Sequence, residues 1–428
     1  MRLFFCQGGK TILRLSSAFI LVLMLCFVLE LRNLSTVHSK LLHAYDFMED
    51  IGEAKNVTER LRSSSFNSTL NVTVVKVENT NNDGVSRQMG ECGENKSVDV
   101  SSTNMIDSRR NITLSPVAVE KVKSIASDLN VSKSEIIYPT NIIGEYVFVN
   151  SDLCRGVGVI DFIIIVHTAP DNLDRRQRIR QTFANESLFV PFHVRVAFLL
   201  GRPRNKSLEN ILFEEHQKYN DTVMGDFLDD YHNLTLKGVM GYRWVSQFCM
   251  NSRFVLKIDD DVMINTFKLL YSFYSHMIGK IKSIFCSHWR KNSMGILREG
   301  KWKVDSRSFP GKTTFPFDYC SGFVVIITTD LVTPMYEAAK VTPFFWIDDL
   351  YLFGMLPYVV GGVTFHDYPL SSNLTLNDAE AMKCIGQQGI KCPILASITR
   401  PDIFGEYWNL IKDTYQAGLW NLSSNFIV

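Results

Sequence analysis

The sequence predicts an α/β chain: a mostly parallel sheet with helices on both faces, set behind an N-terminal membrane anchor and a stem. Three observations carry this. Beyond residue 150, strand-length apolar runs alternate with helical stretches. An acidic triplet, Asp259-Asp260-Asp261, ends one of those runs, and in such sheets ligands bind at the carboxyl ends of strands. Composition also changes along the chain: all six Trp lie at or beyond residue 244, whereas residues 33 to 140 are rich in Asn, Ser, Thr and Val.

The elements follow in order. Leu15 to Leu29 is a run of fifteen residues without a charge, preceded by Arg2, Lys10 and Arg14 and by no acid. It reads as a transmembrane signal anchor over 15–31, with 1–14 as a cytosolic tail by the positive-inside rule. The competing reading is a cleaved signal peptide, but no small-x-small cleavage site follows. Residues 32–150 read as a flexible luminal stem, with Ser63-Ser64-Ser65 and Asn79 to Gly84 as linker and one short helix allowed within 115–130. Residues 151–428 read as the catalytic domain, long enough for one large core. Ile160–Val166 is a buried strand and Leu173–Ala184 a basic helix. A second strand, Val194–Leu200, precedes helices at Ser207–Tyr219 and Asn233–Cys249. Arg253–Ile258 is a strand running into the triplet. A helix over Thr266–Ile278, a strand over Phe323–Ile327 and a helix over Asp330–Ala339 complete the pattern.

Lys plus Arg number 45 and Asp plus Glu 44, a net charge of +1, which argues against nucleic acid as a partner. Hydrophobic residues make up 46 % and charged residues 21 %, which excludes a fully disordered chain. Thirteen Asn-x-Ser/Thr sequons begin at positions from Asn33 to Asn421. They imply glycans if the chain enters the lumen, and chance accounts for many of them in an Asn-rich, Ser-rich stem.

Four blocks carry chemistry. In Lys257-Ile258-Asp259-Asp260-Asp261-Val262, three carboxylates at a strand end repel one another unless a hard divalent cation and a diphosphate meet them. Asp259 and Asp261 share one side of an extended chain. A solvated acidic turn and a phosphatase-type nucleophile at Asp259 are the rival readings. Arg175-Arg176-x-Arg178-x-Arg180 suits an anionic ligand, or a solvated basic face with one or two core ion pairs. Phe344-Phe345-Trp346-Ile347-Asp348-Asp349 places two acids after three aromatics, either as a helix N-terminus or as a general base in a pocket where sugar rings stack. Tyr319-Cys320-Ser321-Gly322 suits a substrate wall above a strand.

Taken in order, Arg176-x-x-Ile179-Arg180-x-Thr182-Phe183, Phe198 to Gly201, Asp226-Phe227, Asn233 to Lys237, the triplet block, Tyr319 to Gly322 and Asp348-Asp349-Leu350-Tyr351 resemble the β-1,3-galactosyltransferase family, glycosyltransferase family 31. The resemblance covers about residues 155 to 370. It implies a GT-A type, Rossmann-like fold and an inverting β-1,3 transfer of galactose or an N-acetylhexosamine from a UDP-sugar to a glycan on glycolipid or glycoprotein. It also implies Mn²⁺ and a type II Golgi membrane protein; a homodimer is compatible with it. By position, Asp261 binds the metal with Asp259 and Asp260 assisting through metal waters or the donor ribose, and His366 is a candidate third ligand. Arg176, Arg180, Lys257 and Asp260 bind the donor. Asp349 is the base. Trp346, Asp348, Tyr319, Ser321 and Gly322 wall the acceptor side. Phe183, Asp348 and Leu350 depart from the family's usual Trp, Glu and Val, which bears on donor and acceptor choice. A catalytically silent luminal binder of the same fold is the alternative.

Seven Cys lie beyond the anchor: 92, 154, 249, 286, 320, 384 and 392. An oxidising lumen predicts disulfides, an odd count leaves one Cys over, and Cys384 and Cys392 are close enough to close a short loop.

Overall fold

A computed structural model describes residues 115–132 and 134–424. Its strands are β1 (Tyr146–Phe148), β2 (Ile160–His167), β3 (Val194–Arg202), β4 (Thr222–Leu228), β5 (Ser252–Asp259), β6 (Val262–Ile264), β7 (Ser283–Trp289), β8 (Tyr319–Thr328), β9 (Thr364–Asp367), β10 (Leu374–Thr375) and β11 (Ala396–Ile398). The longer helices are α1 (Pro116–Leu129), α2 (Leu173–Gln181), α3 (Ser207–Tyr219), α4 (Leu234–Phe248), α5 (Val332–Ala339), α6 (Asp378–Gln388) and α7 (Phe404–Ser424).

The eight-stranded sheet runs β1-β4-β3-β2-β5-β8-β7-β9. β2 is its centre, and Ile163, Ile164, Ile165 and Val166 are all buried, as a strand covered on both faces requires. β4, β3, β2 and β5 are parallel. β7 and β9 run in the same direction too, so six of the eight strands agree and the sheet is mostly parallel, as the sequence predicts; β1, antiparallel to β4, and β8, antiparallel to both β5 and β7, are the exceptions. The adjacent parallel strands β2 and β5 end on one functional edge.

Alternation along the strands sorts the core into two layers. Ile163, Ile165 and Val255 face α4 and α5 in one cluster. Phe162, Ile164, Phe254 and Leu256 face Ile179 of α2 and Phe404, Tyr407 and Trp408 of α7 in the other. Helices therefore cover both faces, as the sequence predicts. A small sheet, β10-β11-β6, closes the end beyond Asp261.

The stem boundary at residue 150 is corrected. Ser115 caps α1 by accepting from the Ala118 amide, Pro116 opens the helix, and Asn130 ends it in the left-handed region at φ 54°. Ile125 and Leu129 of α1 are buried in the same core as β2, and the Phe309 amide donates to the Asp128 carbonyl. The segment 115–150 is a folded part of the domain because its apolar face has a core to cover. The predicted anchor and the rest of the stem lie outside the described residues, among which no helix is long and apolar enough to cross a membrane. Cys154–Cys249, Cys286–Cys320 and Cys384–Cys392 are disulfide-bonded. The last of these is the pairing that spacing suggested.

Candidate active site

The carboxyl ends of β2 and β5 open on a cavity of about 730 Å³, within the range of small-ligand sites. Asp259, Asp260 and Asp261 line it from one side, Asp348 and Asp349 from another, with Trp289, Tyr319, Ser321 and Trp346 around them. The two acidic blocks, some ninety residues apart in sequence, thus meet in one cavity. β5 sets the first block and the antiparallel β8 carries Tyr319 to Gly322 beside it. The second block opens a short helix at Asp348–Leu350, which continues through a wider turn at Tyr351–Met355. Such wide turns recur at functional sites. α4 holds the loop before it: Thr235 Oγ1 donates to the Phe345 carbonyl at 2.8 Å.

Each acid of the triplet has a different fate. Asp260 is buried and its carboxylate is already satisfied by Thr168 Oγ1 (2.6 Å), Asn172 Nδ2 (2.7 Å) and Arg175 Nη1 (2.7 Å). That network fastens the loop after β2 to the end of β5, so Asp260 acts on the site by organising it. Asp259 accepts from Lys257 Nζ at 2.8 Å. The cationic partner of Asp261 is Arg175, no nearer than 3.7 Å. Partial burial, and then the charges of Asp259 and Asp260, raise the Asp261 pKa above the usual carboxylate value.

Asp349 and Asp348 are partly buried. Burial, then the Asp348 charge, pushes Asp349 up to about 7, while Lys257 and the Gly322 amide pull it down. Asp348 is also raised, mainly by burial. Asp349 Oδ1 stands 1.8 Å from where a Cβ on Gly322 would be, so only glycine admits the carboxylate there.

Four other site expectations are corrected. Arg176 is fully buried and bonds Glu215 through Nε (2.9 Å) and Nη2 (2.7 Å), with Nη1 on the Ala169 carbonyl (2.7 Å). Arg180 pairs with Asp221 (2.7 Å) and Glu215 (2.8 Å) and lies over the Phe198 and Tyr219 rings. Both tie α2 to α3 and do not line the cavity; helical spacing turns them away from the triplet, as the core-ion-pair reading allows. Lys257 is buried and spends its ammonium on Asp259 and on the Gly322 carbonyl at 2.6 Å. His366 sits on the edge strand β9, stacked on Phe285 at 4.5 Å and bonded to Ser283 Oγ at 3.1 Å. Two strands, β8 and β7, separate it from β5, too far to share a metal with Asp261.

Sequence reasoning put Arg175 in the basic block without joining it to the triplet, which it is the one arginine of the run to reach, and missed Asn172 beside it. It also missed His167, which ends β2 opposite Asp259 and lines the cavity, buried, with both ring nitrogens unpartnered among the described residues. Burial and the nearby Lys257 and Lys237 hold its pKa well below the usual value, so the ring is neutral. Lys237 is buried too, donating to the Thr168 carbonyl at 2.6 Å and to Asp229 at 3.0 Å.

The donor set fits a hard divalent ion. Asp259 and Asp261 offer carboxylate oxygens, and the Asp261 charge is poorly compensated. Among the described residues no group of three His, Cys, Asp or Glu could hold a metal. One or two carboxylates with substrate phosphates and water are the usual set for Mg²⁺-like ions.

Residues 174–363 match the family model described as Galactosyltransferase. Beta-1,3-galactosyltransferase 1 of Mus musculus is 31 % identical over 192 residues, 44 % of this chain and 58 % of that relative. Lactosylceramide 1,3-N-acetyl-beta-D-glucosaminyltransferase A of Xenopus laevis is 28 % identical over 217 residues, 49 % of this chain and 56 % of that relative. The chain thus spans under two thirds of the curated relatives it matches. A solved glycosyltransferase involved in glycosylation of the major capsid of PBCV-1 aligns over 59 % of this chain and 99 % of its own, at 9 % identity and a TM-score of 0.32, too slight a likeness to argue from.

Proposed function

Since residues 174–363 match the family model described as Galactosyltransferase, we propose that the protein is an inverting β-1,3-glycosyltransferase of that family with a GT-A type fold. It moves galactose or an N-acetylhexosamine from a UDP-sugar to a hydroxyl of a glycan on glycolipid or glycoprotein. We place it, by its N-terminal sequence, as a type II protein of the Golgi membrane. The observation that carries the reading is the meeting of Asp349 and the triplet across one cavity.

The chemistry follows from the two blocks. An acceptor hydroxyl beside Asp349 loses its proton to that carboxylate as its oxygen attacks the anomeric carbon. The new glycosidic bond forms while the bond from that carbon to the diphosphate breaks, and UDP leaves with the electron pair. A pKa near 7 suits this role, since a base works best with its pKa close to the working pH. Lys257 links the blocks: it holds Asp259 and the carbonyl of Gly322, whose backbone Asp349 packs against. Asp259 and Asp261 would hold Mn²⁺, which when bound offsets the negative charge developing on the diphosphate.

The test is UDP release from UDP-galactose, UDP-N-acetylgalactosamine and UDP-N-acetylglucosamine with Mn²⁺, with and without a panel of acceptor sugars. Acceptor-dependent release that Asp349→Asn abolishes is expected. No release from any donor would leave a silent binder, and phosphate release without an acceptor would point to a hydrolase.

A further inference from the structure

Between β7 and β8, residues 290–318 stand beside the cavity as a braced loop. Arg298 Nη1 donates to the carbonyls of Asp305 (2.6 Å) and Ser308 (3.1 Å), and the Val304 amide donates to the Leu297 carbonyl (2.8 Å). Phe309 anchors the loop, fully buried against Phe315 and Phe345. This brace holds outward what a loop ordinarily tucks in. Trp302 is 51 % exposed, yet its indole N–H donates to Tyr231 Oη at 2.9 Å. Tyr231, 40 % exposed, comes from a separate turn before α4. Lys301 Nζ lies 4.4 Å from the Tyr231 ring centroid and 5.5 Å from that of Trp302.

Tyr231, Lys301, Trp302 and the exposed Leu297 and Leu376 all line the cavity that holds Asp349. Exposed large apolar side chains gathered at one cavity mark a binding surface. Charge gives the second observation. Residues 290–312 carry seven Lys and Arg against two acids. Arg298 is spent on carbonyls, Arg307 on Asp305 and Lys312 on Asp128, while among the described residues Lys301 meets the rings of Tyr231 and Trp302 and no carboxylate. A basic, aromatic rim thus stands over an acidic floor.

We propose that this rim is the acceptor subsite, in which a sugar ring lies on the Trp302–Tyr231 pair and Lys301 pairs with an anionic substituent of the acceptor glycan, a carboxylate or a sulfate. Placing an acceptor here rests on the transferase reading above. The aromatic pair, fixed by its hydrogen bond, presents apolar area that does not have to be ordered on binding. The lysine at the rim acts on selection more than on total affinity.

The full chain is tested on immobilised glycans, with UDP and Mn²⁺ present. Three sets are compared: neutral oligosaccharides, the same cores ending in a uronate, and the same cores sulfated. The wild type should favour one or both anionic sets over their neutral counterparts by at least about tenfold, and the two sets tell carboxylate from sulfate. Lys301→Gln should level the preference. Trp302→Ala should lose binding to all sets, and Tyr231→Phe, which removes only the hydroxyl, should weaken it. Equal wild-type binding to neutral and anionic glycans, no binding to any glycan, or a preference that survives Lys301→Gln would overturn the proposal. The UDP-release assay separates it from the transferase reading. If Lys301→Gln levels the preference while no UDP-sugar is turned over, the subsite stands and transfer falls. If neutral acceptors alone are used, transfer stands and the anionic subsite falls.

Discussion

The Asp349 carboxylate occupies the space that any side chain on Gly322 would take, with Oδ1 1.8 Å from an ideal Cβ there. Gly322 also gives its amide to that carboxylate and its carbonyl to Lys257. One residue of β8 therefore sets where the proposed base stands and joins it to the triplet.

Gly322→Ala follows directly. The obstructed atoms belong to the end of a short side chain, so the fold can yield by turning Asp349 aside. We expect the thermal midpoint to move little and kcat to fall by about 10²-fold, the scale of a misplaced catalytic group. A variant with normal kcat would show that the Asp349 position is not critical.

The pH dependence has a definite sign. Asp349 is raised to about 7 in the folded chain, against about 3.9 unfolded. Its contribution to stability is present below the unfolded value and is lost as pH rises to about 7. Activity runs the other way, because the base must be ionised to accept a proton. We expect kcat to climb between pH 6 and pH 8 with a midpoint near 7, and Asp349→Asn to melt higher than wild type at pH 8 but not at pH 4. Thermal melts and rate profiles at both ends check this. A flat kcat profile would count against Asp349 as the base.

Asp261→Ala tests the cation site. The Asp261 carboxyl is strained upward by burial and by its two neighbours, so its removal relieves repulsion. Stability should hold within about 0.5 kcal/mol or rise, while UDP release falls to background. Excess EDTA on the wild type should produce the same loss, and Mn²⁺ should restore the wild type but not the variant. Undiminished activity in EDTA would remove the metal.

The sequence was most readable where periodicity is clean. The run from Ile160 to Val166 could only be a strand buried on both faces, and the acids after Ile258 had to lie at a strand end. β4 escaped because Gly225 interrupts its pattern; there a Cβ would meet the Met240 sulfur at 2.6 Å and the Phe227 ring at 2.5 Å, so the glycine serves close packing of α4. β7 escaped because its partners, β8 and β9, are distant in sequence. The two acidic blocks were visible as motifs. Which arginine reaches the triplet was not, since one residue's step around α2 decides between Arg175 and the buried Arg176–Glu215 pair. The glycine beside Asp349 was legible as a small-residue turn, but its purpose needed the register of β8 on β5.

Lys257→Met separates linkage from donor binding. The lysine is buried with its ammonium on Asp259 and the Gly322 carbonyl. Methionine keeps the stem and removes the charge, leaving a carboxylate and a carbonyl short of a partner. Breaking a buried pair from one side costs about 3–5 kcal/mol. Half-exposed Asp259 can regain water, so we expect the lower part of that range or less. The same cation lowers both Asp348 and Asp349, so its loss should carry the midpoint of the kcat profile to higher pH. UDP affinity should change far less than kcat at pH 7, because the ammonium faces the protein. Titration of UDP with Mn²⁺, set beside the rate profile, distinguishes the roles. If Lys257→Met abolishes UDP binding and leaves the pH midpoint in place, Lys257 holds the donor and not the two acidic blocks.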